Sequence, residues 1–270
     1  MRCAVLGDPI AHSLSPVLHR AGYAAVGLDW TYDAVRVPAG GLRDLVASLD
    51  GTWRGLSLTM PLKREALALA DEFTARATLV GAANTLVFMD GRIVATNTDL
   101  PGAAAAIRER YDGPVRSASI LGAGATAAST GLALCDLGAT TITLHARSPE
   151  RARETVDAIG RHPARPTVQV GSLDDTPTGD VLVSTVPVAA QTPELVERCA
   201  VVPVVFEVLY DPWPTPLAAR VADDGRVLVS GLDLLVHQAA LQFGIFTDLE
   251  APLEVMRAAG EAELAQRRPA

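Results

Sequence analysis

Aromatic residues make up only 4% of this 270-residue chain, and its three cysteines stand singly and far apart. Cys3, Cys135 and Cys199 each sit in or beside an apolar run, which excludes a disulfide framework and reads as buried free thiols. No His/Cys cluster has metal-ligand spacing, so no metal site is expected. No apolar run approaches the ~20 residues of a membrane span. The N-terminal run Cys3 to Leu6 is too short for a signal peptide. The chain therefore reads as soluble and cytoplasmic, without a membrane partner. Positive charge is scarce too: a net charge of −8 argues against a nucleic-acid surface. An anionic ligand must then be held by local donors. Internal repeats and low-complexity segments are also missing. What is present is 49% hydrophobic residues, mainly Ala, Leu and Val, enough to bury one large domain or two modest ones.

The chain is organised around Ser117 to Ser129. The apolar run Ala118 to Leu121 passes into Gly122, Ala123, Gly124, Ala125 and a small-residue helix start. A strand, a tight glycine turn and a helix N-terminus are what a dinucleotide pyrophosphate requires. One glycine permits the turn, the next lets phosphate approach bare backbone, and the helix supplies free N–H groups. The third position of this G-x-G-x-x-A pattern is Ala127, small enough for close packing. After a helix to about Gly138 comes a strand, Thr140 to His145, then Ala146-Arg147-Ser148-Pro149-Glu150-Arg151. No acidic residue stands at that strand's end to take a ribose 2′-hydroxyl. Arg147, Ser148 and Arg151 suit a 2′-phosphate instead, hence NADP rather than NAD, with Glu150 on the helix beyond the strand tip. Further strands at Asp180 to Thr185, Val202 to Val208 and Arg226 to Val229 alternate with helices, predicting a parallel, doubly wound sheet. Beyond Gly231 the pattern is helical only, Leu232 to Phe243 and Pro252 to Gln266, with a frayed end at 267–270.

The first half carries no nucleotide motif but several polar clusters. Strand Cys3 to Leu6 is followed by Gly7-Asp8-Pro9, then by Ser13-Leu14-Ser15-Pro16. Ser15 reads as the N-cap of a helix reaching about Val26, with proline at N1. Ser13 has no capping role left to it, and two hydroxyls at a helix N-terminus suit a carboxylate. Strands Trp30 to Val35 and Gly55 to Leu58 flank a helix, Gly40 to Leu49. Thr59 then caps a helix starting at Pro61, with Lys63 in its first turn. A lysine there opposes the helix dipole, and it reads either as a solvated surface residue or as part of a site at a strand's carboxyl end. Gly81 to Thr85 leads into a hairpin, Leu86 to Met89 and Arg92 to Ala95, turning at Asp90-Gly91. It ends in Thr96-Asn97-Thr98-Asp99, where Asp99 is either a helix cap or a site residue. Gln238 in an apolar helix is either a satisfied polar contact or a ligand.

Taken in order, these clusters resemble the shikimate dehydrogenase family along nearly the whole chain. They are Gly7-Asp8-Pro9-Ile10 with His12 to Pro16 and His19, Thr59 to Lys63, Gly81 to Thr85, Asn97-Thr98-Asp99, Tyr210 with Thr215-Pro216-Leu217, and Gly231 with Gln238. The resemblance implies an α/β protein in three segments. Residues 1–102 form a substrate domain, 103–233 a Rossmann-type NADP domain, and 234–270 helices that return to the first domain, with the site in the cleft between domains. It implies NADP-linked reduction of 3-dehydroshikimate to shikimate, in aromatic amino-acid biosynthesis, with Lys63 and Asp99 as the catalytic pair. Ser13 and Ser15 would hold the substrate carboxylate, and Thr59, Asn84, Asp99 and Gln238 its ring hydroxyls, with Tyr210 nearby. Gly122, Ala123, Gly124, Ala125, Arg147, Ser148, Arg151, Thr185 and Gly231 would line the cofactor. A monomer or homodimer is expected. Quinate/shikimate and aminoshikimate dehydrogenases share this pattern; a non-catalytic ligand sensor would not need both Lys63 and Asp99. Folate-linked dehydrogenases would lack the Ser13/Ser15 pair. Two departures stand out: Ser57 where many members have Asn, and Arg20 after His19, also commonly Asn. Ser57 keeps a hydroxyl and reads as a tolerable replacement, with positioning of the motif the role open to change; Arg20 is expected to face away from the chemistry.

Overall fold

The near-continuous apolar run of β1 (Arg2–Gly7) is buried from Cys3 to Gly7, as befits a strand covered on both faces. The structure, a computed structural model, describes residues 1–267, so the rest of the expected frayed end lies outside the described residues. After β1 come α1 (Ser15–Ala25), β2 (Thr31–Arg36), α2 (Leu42–Ala47), β3 (Trp53–Leu58), β4 (Glu72–Phe73), α3 (Ala75–Val80), β5 (Thr85–Met89) and β6 (Arg92–Thr96). They form a mixed sheet in the order β2-β1-β3-β5-β6-β4. β1 pairs in parallel with β2 and β3, whereas β5 runs antiparallel to both β3 and β6. Asp90 and Gly91, at φ 50° and 74°, make the left-handed two-residue turn that an Asp-Gly pair favours.

The second half consists of α4 (Asp99–Arg110), β7 (Ser117–Leu121), α5 (Ala125–Asp136), β8 (Thr141–Ala146), α6 (Pro149–Gly160), β9 (Thr167–Ser172), β10 (Val181–Ser184), α7 (Pro193–Arg198), β11 (Val204–Glu207), α8 (Pro216–Asp223) and β12 (Val227–Val229). All six strands are parallel, in the order β12-β11-β10-β7-β8-β9. The order reverses between β7 and β10, the switch point at which doubly wound sheets bind ligands. β9 had no counterpart in the sequence reading; its alternation is mostly exposed because it is the sheet's edge. Two helices close the chain, α9 (Gly231–Thr247) and α10 (Leu253–Arg267). The chain falls into two compact units, Met1–Thr98 with everything from Leu235 onward, and Asp99–Leu234. Among the described residues no helix is long and apolar enough to cross a membrane.

Three local expectations are overturned. Ser15 is not an N-cap: it is the first residue of α1, and Leu14 precedes it without a side-chain cap. Ser13 takes that part, its hydroxyl accepting from the Ser15 N–H at 3.3 Å. No helix starts at Pro61 either. The Lys63 carbonyl accepts from Ala83 N–H at 2.7 Å, which removes it from helical bonding, and only a 3₁₀ turn, Glu65–Ala68, follows. Lys63 therefore sits in a turn and opposes no helix dipole. Asp99 does not precede its helix as a cap but is the first residue of α4, with Pro101 tolerated in that first turn.

From Leu235 onward α9 belongs, with α10, to the first unit through tight side-chain fits. Gly22 on α1 leaves room for Phe243 and Met256, and α10 packs along α1. Gly55 on β3 does the same for the buried Phe246 ring. Arg20 ties α1 to β2 by donating to Tyr32 O and Asp33, both at 2.8 Å. The His19 ring stacks on Tyr32 with centroids 4.1 Å apart, and burial pulls its pKa from 6.5 down to about 3, so it is neutral. All three cysteines are buried free thiols, as expected, and burial raises them to about 11 or 12. A methyl group at Gly55 would stand 2.7 Å from Phe246 Cδ1 and 2.8 Å from Leu86 O. Gly55→Ala is therefore expected to destabilise the protein by about 1–3 kcal/mol, read as a lower urea midpoint; an unchanged midpoint would show that Phe246 repacks freely.

Candidate active site

Strand register brings four segments to one edge of the first sheet. Leu6 pairs with Leu58 in the parallel β1–β3 ladder, so both strands run out at the same level. β5 starts there, with Thr85 opposite Ser57, and β6 ends there, with Thr96 opposite Thr85. Thr59, Asn84 and Asn97-Thr98 consequently share an edge that also holds the carboxyl ends of β1 and β3, where α/β sheets collect ligands. Gly81, closing α3 at φ 69°, turns the chain into Ala82-Ala83-Asn84. The bond from Ala83 N–H to Lys63 O then pins the backbone of Lys63 beside Asn84. The Lys63 side chain is half-buried, and Asp99, immediately after Thr98, is buried.

Asn84 is the centre of this edge. Its Oδ1 accepts from Thr98 N–H at 2.8 Å and from the Thr85 hydroxyl at 2.9 Å. Its Nδ2 donates to Thr98 Oγ1 at 2.9 Å and to Gln238 Oε1 at 3.3 Å. The backbone N–H of Thr98 fixes which end of the carboxamide is oxygen. Asn97 donates to Ala82 O at 3.0 Å, tying the end of β6 to the turn before Asn84. Ser15, at the start of α1, is buried, and the Tyr32 hydroxyl donates to Ser57 Oγ at 2.5 Å.

The second unit carries the glycine turn at its switch point. Gly122 donates to His145 O at 2.9 Å and holds φ at +107°, a conformation glycine allows cheaply. Any Cβ there would also collide with the Thr185 hydroxyl, which donates to Leu121 O at 2.8 Å. Ala123 O accepts from Thr155 at 2.9 Å, anchoring the turn to α6. Gly124 is different. It caps α5 in an extended conformation without a side-chain cap, and a Cβ built on it would meet nothing within 4 Å. Among the described residues no contact demands glycine there, whereas a phosphate approaching the α5 N-terminus does, so the turn fits a dinucleotide. Arg147 and Arg151 are exposed and Ser148 half-buried at the start of α6. Glu150 is engaged by its own backbone N–H and by Ser148, which holds its carboxyl below the usual range. Gly231 answers to packing: its Cβ would lie 2.5 Å from Leu209 O. Ser230 and Asp233 cap α9 reciprocally there, at 2.9 and 3.1 Å, and Asp233 accepts from Arg110 at 2.8 Å.

Tyr210 lies half-buried on the loop between β11 and α8, and that loop is held by Glu207. The Glu207 carboxyl is fully buried and accepts from Leu209 N–H at 3.1 Å, Gln191 at 2.7 Å and the Thr215 hydroxyl at 3.2 Å. Gln191 in turn accepts from Leu217 N–H at 3.1 Å. Burial pushes the Glu207 pKa from 4.5 up to about 7.

The family model for the shikimate dehydrogenase substrate binding domain matches residues 5–86, and that for the shikimate 5′-dehydrogenase C-terminal domain matches residues 231–259. A shikimate dehydrogenase (NADP(+)) of Methanothrix thermoacetophila is 38% identical over 270 residues, 97% of each chain. The chain belongs to the shikimate dehydrogenase family. Among solved structures, Mycobacterium tuberculosis shikimate dehydrogenase is 42% identical, with a TM-score of 0.88 over 97% of this chain and 99% of that one. A Thermus thermophilus shikimate 5-dehydrogenase in complex with NADP(H) and shikimate is 28% identical, with a TM-score of 0.86 over 97% of this chain and 99% of that one.

Of the residues the family motifs single out, Asn84 and Gln238 meet directly, together with Thr98, and Lys63 is bonded through its backbone to Ala83. Ser13 and Ser15 share one bond at the start of α1. Tyr210, Thr185, Gly231 and the arginine cluster belong to the second unit. Sequence reasoning passed over Tyr32, Gln242, Gln191 and Glu207. Two signals were there: Gln242 follows Gln238 by four residues, on the same helical face, and Glu207 is the lone charge ending an apolar strand.

Between pH 4.5 and 7 the unfolded chain has lost the proton that native Glu207 keeps. Stability from this group is therefore full below 4.5 and falls as pH rises through 7. Glu207→Gln removes that dependence. Its stability relative to the parent is expected to rise by on the order of 3 kcal/mol between pH 4.5 and 8, by urea denaturation at both pH values. A difference that stays flat would mean that Glu207 titrates as an ordinary carboxylate.

Proposed function

We infer that the chain catalyses the reversible NADP-linked reduction of 3-dehydroshikimate to shikimate, as an oxidoreductase acting on a CH–OH group. The observation that carries it is the polar edge built on Asn84, Thr98 and Gln238, in a chain that matches NADP-dependent shikimate dehydrogenases over nearly its whole length. That edge offers neutral donors and acceptors suited to a polyhydroxylated ring. Ser13 and Ser15, at the start of α1, supply hydroxyls for its carboxylate. Thr59 and Tyr210 complete the substrate set. We take the enzyme to be cytoplasmic, a monomer or homodimer working on small molecules, with no nucleic-acid or membrane partner.

NADPH, when bound, supplies the hydride that adds to the ring carbonyl carbon. The residues that would hold it are Gly122, Ala123, Gly124 and Ala125 at the pyrophosphate and Arg147, Ser148 and Arg151 at the 2′-phosphate, with Thr185 and Gly231 on the same side. As the carbonyl becomes an alkoxide its oxygen gains negative charge, and Lys63 gives it a proton, yielding the hydroxyl. Asp99 orients the Lys63 ammonium and accepts from the neighbouring ring hydroxyl. In the oxidative direction Lys63 takes the proton back.

Steady-state oxidation of shikimate, with NADP and NAD compared and quinate as competitor, tests the reading. Preference for shikimate with NADP is expected; turnover mainly of quinate or with NAD would move the enzyme to another branch of the family. No turnover with bound ligand would make it a sensor. Lys63→Ala is expected to lower kcat by roughly 10²-fold or more with little change in the shikimate KM, and a near-normal kcat would remove Lys63 from the chemistry. The double substitution Arg147→Ala and Arg151→Ala should raise the KM for NADP roughly tenfold or more while sparing NAD, since charge-assisted bonds to phosphate are lost. Equal effects on both cofactors would overturn the 2′-phosphate assignment.

A further inference from the structure

We propose that Gln242 is a positioning residue for substrate binding, tying Asn84 at the ring-hydroxyl end of the pocket to Ser57 on β3 and Tyr32 on β2 through one buried hydrogen-bond relay. The inference rests on the function proposed above, in which Asn84 touches substrate. It concerns a residue four positions beyond Gln238, buried on α9.

The relay has a direction that backbone atoms dictate. Gln242 Nε2 lies 3.1 Å from Asn84 O, a carbonyl that can only accept, so the amide nitrogen must face Asn84. Its second hydrogen goes to Thr85 Oγ1 at 2.8 Å. The Thr85 hydroxyl then donates to Asn84 Oδ1, whose identity as oxygen the Thr98 N–H has already settled. On its other side Gln242 Oε1 can only accept, so the Ser57 hydroxyl donates to it at 2.8 Å. Ser57 has no second proton, so Tyr32 donates to Ser57 at 2.5 Å. Tyr32 ends this branch on β2, where its ring stacks on His19. Each orientation follows from the previous one, and Gln242 is the only member that reaches both branches. Tyr32, Ser57, Asn84, Thr85, Gln238 and Gln242 are all buried, so a broken link is not readily replaced by solvent.

Gln242 also bonds the backbone of Asn84 as well as its neighbour's hydroxyl. It therefore locates the main chain from which the carboxamide projects. Losing it leaves the Asn84 carbonyl to Leu58 N–H alone, at 2.7 Å, and loosens the carboxamide, while Lys63 and the glycine turn keep their own bonds. The expected signature is selective: weaker shikimate binding, with the hydride step and cofactor binding spared.

Gln242→Met keeps the volume and removes every hydrogen bond. Measured with both substrates varied, its shikimate KM should rise roughly tenfold, with kcat and the KM for NADP changing less than about twofold. Tyr32→Phe, which removes one hydroxyl from the far branch, should raise the shikimate KM in the same direction by a smaller factor, and serves as the test if Gln242→Met does not fold. An unchanged shikimate KM in the folded variant, or equal loss in kcat and both KM values, overturns the proposal. Absence of shikimate turnover by the parent enzyme would instead overturn the function on which it rests.

Discussion

The Asn84 carboxamide has two hydrogens and two lone-pair positions to fill in a place closed to solvent, and every one has a protein partner. A buried amide left half-satisfied costs about 1–3 kcal/mol per missing bond, so the surrounding chain cannot drift without penalty. Satisfying it requires Thr85 from the start of β5, Thr98 from beyond β6 and Gln238 from α9. Those elements are brought together by an antiparallel hairpin and by a helix returning from more than 130 residues away. The strand pairing, the Asp90-Gly91 turn and the small residues Gly22 and Gly55 serve the same end. They let Phe243 and Phe246 seat α9 against the sheet at the depth where its glutamines reach Asn84.

The second unit is constrained by backbone rather than by side-chain polarity. Gly122 is required twice, by its positive φ and by the Thr185 hydroxyl, and the parallel β7–β10 pairing puts Thr185 beside it. The three groups that anchor the turn are a carbonyl at the end of β8, a threonine on α6 and a threonine after β10. Each comes from a different element, so the turn is fixed from several directions, while Gly124 leaves one side open. Glu207 does the equivalent for the loop of Tyr210. One buried carboxyl collects a backbone N–H, an amide and a hydroxyl, and so fixes a segment whose prolines leave few backbone donors of its own.

Elements with a strong local signature were legible: the strand-turn-helix at Gly122, the hairpin with its Asp-Gly turn, and the alternation that builds a doubly wound sheet. Local chemistry misled where a tertiary bond competes with it. Ser-Pro reads as a cap until Ser13 supplies one two residues earlier. Thr59-Met60-Pro61 reads as a helix start until Ala83 claims the Lys63 carbonyl. Neither competitor is visible from neighbours in sequence. The buried relay was illegible for another reason. Tyr32, Ser57 and Gln242 are ordinary residues in apolar segments, and their meaning depends on contacts spanning up to 185 positions. Ser57 shows this best: a departure from the family pattern by sequence, it is a link between Tyr32 and Gln242 in the fold.

An acidic chain that binds a carboxylate and phosphates poses an electrostatic question, and magnitudes answer it. A charge of −8 centred roughly 20 Å from an anionic ligand repels it by about 1.7 kcal/mol in unscreened water. A Debye length of about 8 Å at physiological salt reduces this to roughly a tenth. A single hydrogen bond to a charged group contributes about 1.5–3 kcal/mol, more than the whole screened repulsion. Selection for binding thus acts on donors within reach of the ligand, and net charge is left free to serve solubility. In the function proposed above, serine hydroxyls, bare N–H groups at a glycine turn and a pair of exposed arginines are donors of this kind. The position of a donor, such as the turn that Thr155, Thr185 and the His145 carbonyl fix around Gly122, therefore matters more than the number of donors.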